Sequence, residues 1–137
     1  MPDPRTLLAQ DRFAALAGIT LETVEPGLAR ARMVVTPQHL NGAGIAQGGA
    51  VFTLADFAFA AACNSGDRLA VAVDVSISFV KAVTGGALVA EAREEAVSSR
   101  VSTCLVRVTD EAGALVALFK GTAYRKPPPD PDGGGRA

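Results

Sequence analysis

The 137-residue chain has no tryptophan, one tyrosine, one histidine and two cysteines. Each scarcity removes a class of function. One His and two distant Cys do not make a zinc site. A Ser-His-Asp arrangement would have to use His39, and the nucleophile-elbow pattern G-x-S-x-G is missing. His39 therefore reads as a loop residue. Cys63 lies in an apolar run and Cys104 in a strand-like one, so both read as small buried hydrophobes rather than a disulfide or a ligand pair. Charge of one sign is also lacking. Thirteen basic and 14 acidic residues are interspersed and leave a net charge of −1, with no basic nucleic-acid face and no polybasic membrane patch. The longest apolar run falls short of the roughly 20 residues that a bilayer span requires. The N-terminus, MPDPRTLLAQDRF, has early acidic residues and no long apolar core, unlike a signal peptide. These absences make a cytoplasmic, reducing location the expectation, with neither nucleic acid nor membrane as partner.

What is present is apolar. Residues of that kind make up 49% of the chain, and six Phe leave the core mostly aliphatic. Such an excess in a chain of this size points to surface covered by a partner, most simply another copy. Nothing splits the chain by composition. One domain over 1–126 is expected, followed by a disordered tail over 127–137, where PPPDPDGGGRA offers nothing to bury.

Periodicity orders the rest. Residues 5–17 carry Leu7, Leu8, Phe13 and Leu16 near a helical period, closed by Gly18. Residues 19–24 and 28–35 alternate and make a hairpin about Glu25-Pro26-Gly27. Residues 71–79 alternate most cleanly. Val71, Val73, Val75, Ile77 and Phe79 fall on one face, which is expected to lie on the core. Strands over 87–96, 101–109 and 115–124 follow, separated by turns at 97–100 and 110–113. The order is helix, hairpin, long apolar helix and four antiparallel strands. A buried helix of this kind needs a curved sheet to wrap it.

The long helix is the focus. From Ala50 to Cys63 only Thr53 and Asp56 are polar, so the helix should be covered on every side. A carboxylate there is costly without a partner. Gly48-Gly49 opens the helix and Asp56 lies two turns inside. A helix N-terminus offers free N–H groups to a carbonyl oxygen that becomes negative in a transition state. An acid at a set distance could activate water against that carbonyl. Equally, Gly48-Gly49 could be a tight turn and Asp56 a hydrogen-bonded structural acid. Spacing leaves both readings open. A dinucleotide reading of the glycines at 42, 44 and 48 fails, because the spacing is one residue too long for G-x-G-x-x-G.

The segment HLNGAGIAQGG, followed by LAD, resembles the hotdog-fold thioesterases of the PaaI (phenylacetate-degradation) type. Their motif is an Asn, then His-Gly-Gly, then an acid eight residues after the first of those glycines. Asn41, Gly48 and Asp56 match it. The similarity runs through VDVSISFVKAV and the closing LVALFKGTAYR. It implies an α+β hotdog fold and hydrolysis of an acyl-CoA, short-chain or aryl, to acid and CoA. The Gly48 N–H would polarise the thioester carbonyl. Asp56 would act as general base, or as nucleophile. Asn41 would orient the water or the acid. Gln47 and Gly49 would border the substrate, and Lys81, Ser98, Ser99 and Arg100 would meet the phosphates of CoA. The same four also read as surface charges and turn formers. No cofactor is expected beyond the coenzyme A of the substrate. The resemblance further implies a site at a dimer interface, with two dimers making a tetramer.

Two departures stand out. Gln47 replaces the family His and cannot titrate. In some relatives a Ser or Thr from the partner subunit helps, near the start of the long strand, but here that region reads Ala70-Val71-Ala72-Val73. The alternative is a non-catalytic acyl-CoA-binding hotdog protein, against which Asp56 argues. A hotdog dehydratase would need a His with its acid, and His39 is misplaced for that.

Overall fold

The hairpin read from residues 19–35 forms as β1 (Ile19–Glu25) and β2 (Leu28–Val35) in a computed structural model that describes residues 4–128. Gly27 takes the positive φ of 74° that the turn demands. Four further strands follow: β3 (Ala70–Phe79), β4 (Gly86–Val97), β5 (Val101–Thr109) and β6 (Leu115–Arg125). All pairings are antiparallel, in the order β1-β2-β4-β5-β6-β3. The long helix α3 (Gly48–Cys63) packs against every strand of this curved sheet, which is the hotdog arrangement.

Register explains the inner surface. One row of side chains, Ala29–Ala92–Val106–Phe119–Ile77, crosses five strands. Alanine dominates the β2 and β4 part of the core, where Ala29, Ala31, Ala90 and Ala92 are fully buried. Small residues let the helix approach the sheet closely. On β6 the ring of Phe59 lies over Gly121, and a Cβ there would come within 2.6 Å of Phe59 Cζ. Phe59 also packs on Phe119 with ring centroids 5.5 Å apart. Glycine at 121 is thus a packing requirement of the helix.

Three expectations change. The helix read over 5–17 is two, α1 (Pro4–Ala9) and α2 (Arg12–Leu16). Asp11 accounts for the break, since its side chain accepts a hydrogen bond from Ala14 N (2.9 Å) as the cap of α2. Nor does β3 lay one continuous apolar face on the core. It is a sheet edge, and a bulge shifts its register between Ala72 and Asp74. Below the bulge Val75, Ile77 and Phe79 pair with the inward row Gly121, Phe119 and Ala117. Above it Val71 pairs with Tyr124 on the outer face. Alternation identifies faces but cannot register an inserted residue. Val71 and Val73 are exposed in consequence, while Phe79 keeps the inward register and is exposed at the end of the edge strand. Finally, α3 is not covered all round. Phe52, Thr53, Asp56 and Ala60 form a half-buried stripe, because one sheet curls round only part of a helix. The tail expected over 127–137 lies, apart from its first two residues, outside the described residues.

Candidate active site

The loop before α3 is tied down along its length. A 3-10 turn, Pro37–His39, starts it. His39 Nδ1 accepts from Thr36 N (2.9 Å), and Nε2 faces Ala17 O at 2.6 Å. Both ring nitrogens are therefore engaged in structure, with the proton on Nε2, which agrees with reading His39 as a loop residue rather than a base. Asn41 folds the next segment on itself, its Oδ1 accepting from Ala43 N (2.9 Å) and Ile45 N (3.3 Å). Gly44, at φ +76°, permits the reversal. Ala46 N donates to Val83 O (2.7 Å) and anchors the loop to the β3–β4 connection.

Gln47 then caps α3. Its backbone carbonyl accepts from Ala50 N (2.9 Å) and Val51 N (3.3 Å), and its Oε1 accepts from Gly49 N (3.1 Å). These bonds satisfy the first turn with one exception. Among the described residues Gly48 N–H has no partner. It stands at the positive end of a 16-residue helix. Phe79 lies alongside, and a Cβ on Gly48 would come within 3.1 Å of its Cζ. Asn41, Gly48, Phe79 and Lys81 border one cavity of about 310 Å³. Gln47 and Gly49 border a larger groove on the other side of the turn. Gln47 thus serves as the helix cap through its side-chain amide oxygen.

Asp56 is not in either cavity. It lies eight residues beyond Gly48, about 12 Å further along the axis at 1.5 Å per residue. It is half-buried, and among the described residues no hydrogen-bonding group acts on its carboxyl. Burial raises its pKa above the ordinary value, and the charge of Asp11 adds to the effect. Within one chain the structure brings Asn41 to Gly48 and keeps Asp56 apart from both.

Of the residues expected to meet phosphate, Lys81 is committed elsewhere. Its Nζ lies 2.5 Å from Asp110 Oδ2, and that contact holds the Asp110 carboxyl below its usual range. Ser98 shapes the β4–β5 turn, its Oγ accepting from Val101 N (3.0 Å). Two residues that sequence reasoning missed converge on the same turn. Arg68 Nη2 donates to Ser99 O (2.7 Å), and Arg125 Nη1 donates to Ser98 O (2.6 Å). With Arg100 they form a cationic cluster, and none of the three joins an ion pair among the described residues. Positions 68, 100 and 125 are too far apart in the chain for any linear signal to have grouped them. The cluster sits beyond the C-terminal end of α3, where Lys126 N bonds Leu69 O.

Known proteins share this fold. Residues 43–117 match the model of the thioesterase superfamily. A putative esterase of Archaeoglobus fulgidus is 43% identical over 84% of this chain and 75% of its own length. The acyl-coenzyme A thioesterase PaaI of Escherichia coli is 35% identical over 84% of this chain and 83% of its own. Among solved structures, the E. coli PaaI protein from the phenylacetic acid degradation operon superposes with a TM-score of 0.87. It is 33% identical and covers 90% of this chain and 91% of its own. A mutant of the phenylacetic acid degradation protein PaaI from Thermus thermophilus gives 0.80 at 36% identity, over 85% of this chain and all of its own.

Proposed function

The chain belongs to the thioesterase superfamily, and from that premise we propose that it hydrolyses an acyl-CoA, short-chain or aryl, to the free acid and CoA. The observation that carries the proposal is the unpartnered Gly48 N–H at the head of α3. A thioester carbonyl oxygen placed there gains a hydrogen bond and the helix dipole as it becomes an oxyanion. Asp56 takes a proton from water, and the hydroxide oxygen bonds to the carbonyl carbon. Collapse of the tetrahedral intermediate breaks the C–S bond, and the proton passes to the departing thiolate. A raised carboxyl pKa suits an acid that must both accept and return a proton. The Asn41 amide N–H₂ orients the water, since its oxygen is occupied by the loop.

The rise of about 12 Å between Gly48 and Asp56 requires that the acid come from a second copy. Two features support a two-fold assembly. The β3 edge presents Val71, Val73 and Phe79 to solvent, and pairing two such edges covers both. The half-buried stripe of α3, with Thr53, Asp56 and Ala60, offers small side chains for a close helix pair. A dimer, doubled to a tetramer, is the proposed unit. An antiparallel pairing of β3 brings the far end of the partner's sheet toward this Gly48. The Arg68–Arg100–Arg125 turn is then placed to take the CoA phosphates, with Ser98 and Ser99 in the same turn. The proposed setting is the cytoplasm, where Cys63 and Cys104 remain thiols. Thiol release from a panel of acyl-CoAs tests the proposal. Turnover of at least one ester, abolished in Asp56→Asn, is the expected result, and no release from any ester refutes it.

A further inference from the structure

The groove on the Gly49 side of α3 has no part in the chemistry above. It encloses about 860 Å³ between Phe13 and Leu16 of α2, Val34 of β2, Phe52 of α3 and the Gln47–Gly49 turn. Phe13 is 65% exposed and Leu16 82%. Both are large apolar side chains on a five-residue helix, yet that helix is held at each end. Asp11 caps its start, the His39 ring binds Ala17 O at its close, and Gly18 at φ +77° turns the chain into β1. The apolar wall is therefore fixed in place without a partner. Its volume is in the range of small-ligand pockets, roughly 300–1,000 Å³. The groove starts at the turn whose other side holds the Gly48 N–H and the 310 Å³ cavity with Asn41 and Lys81.

We propose that the thioester lies across the first turn of α3 with its acyl arm in this groove, and that Phe13 and Leu16 select bulky apolar acyl groups over acetyl. The inference rests on the acyl-CoA reading above. A carbonyl oxygen held on Gly48 N–H leaves the two arms of the thioester on opposite sides of the turn. The pantetheine arm, with its amides, matches the cavity bordered by Asn41, and its anionic end continues toward the Arg68–Arg100–Arg125 turn of the second copy. The acyl arm matches the apolar groove. Burial of one methylene is worth about fourfold in binding, so acyl size is read strongly by such a wall.

The test compares kcat/KM for acetyl-, hexanoyl- and phenylacetyl-CoA in the wild type, Leu16→Trp and Phe13→Ala, with light scattering on each preparation. Leu16 is exposed, so a larger side chain there fills the groove without disturbing the core. The wild type is expected to favour the larger esters. Leu16→Trp should lower the ratio of phenylacetyl to acetyl by about tenfold, and Phe13→Ala should move the preference toward longer chains. Ratios that stay the same in both variants overturn the groove assignment. So does a Leu16→Trp protein whose assembly mass changes while all esters fall by one factor, because the groove is then covered by a second copy. A wild type inert to all three esters refutes the acyl-CoA reading itself, and is distinguished from an active enzyme with unchanged ratios.

Discussion

If Gly48 and Asp56 serve one thioester from two different copies, two inactive variants must rescue each other. The first variant is Gly48→Pro. Position 48 is the first residue of α3, where proline is well tolerated because its missing N–H has no helical acceptor. Gln47 already has φ −60° and ψ 133°, the extended conformation that a following proline needs. The ring of Phe79 near the new Cβ is 55% exposed and can yield. The substitution thus deletes one hydrogen-bond donor with the helix intact, and loss of such a donor costs about 10²–10³ in kcat. Gly48→Ala keeps the N–H but adds the same Cβ, so it isolates the effect of crowding. The second variant is Asp56→Asn, which removes the base at constant volume and costs roughly 10²–10⁴. In a mixed dimer one site combines both lesions and the other has Gly48 from one chain and Asp56 from the other, both intact. Random pairing makes half of the dimers mixed, so co-refolded protein should regain about a quarter of the wild-type rate. The assay is thiol release from the two variants, alone and co-refolded at equal amounts. Rescue to that level requires a shared site. A mixture no more active than its components, with exchange of chains verified by mass spectrometry, refutes the two-copy arrangement.

Other expectations concern packing, pH and salt. Gly121→Ala should destabilise the protein by about 1–3 kcal/mol, as overpacking does. Its Cβ would fall 2.6 Å from Phe59 Cζ, and that buried ring is held by Phe119. Denaturant unfolding measures this, and an unchanged midpoint would contradict the close helix–sheet approach. For Asp56, burial raises the folded-state pKa. The acid limb of kcat/KM should therefore lie above the roughly 3.9 of a free Asp. Stability linked to the protonated acid is present below the unfolded value and lost as pH rises through the folded one. Asp56→Asn should thus melt higher than the wild type at neutral pH, with the gain fading in acid. An offset constant with pH would exclude this account. Arg100→Ala should raise KM for a CoA ester and flatten its salt dependence. Lys81→Ala should do so less, because Asp110 already neutralises that charge. Equal effects of the two would disprove the assignment of the phosphates to the β4–β5 turn.

Local physics was readable from the chain alone. Strict alternation marked β2 and β5 to the residue, since side-chain period two is a property of any half-buried strand. Uninterrupted Ala, Phe and Leu marked α3, and the spacing Asn41, Gly48, Asp56 carried the family resemblance. Three matters required the fold. Asp11 breaks the N-terminal helix because a cap competes with continuation, and the outcome depends on what each alternative packs against. The bulge in β3 turns Val71 outward, a register shift that hydrophobic pattern cannot encode. Which first-turn N–H remains free depends on the Gln47 side chain folding back on Gly49, a rotamer set by its surroundings. Helices and strands were legible because each depends on neighbours a few residues away. The meeting of Arg68, Arg100 and Arg125 at one turn was not. It depends on distances between residues far apart in the chain, whereas the separation of Gly48 from the Asp56 of its own chain follows from the fixed rise of a helix.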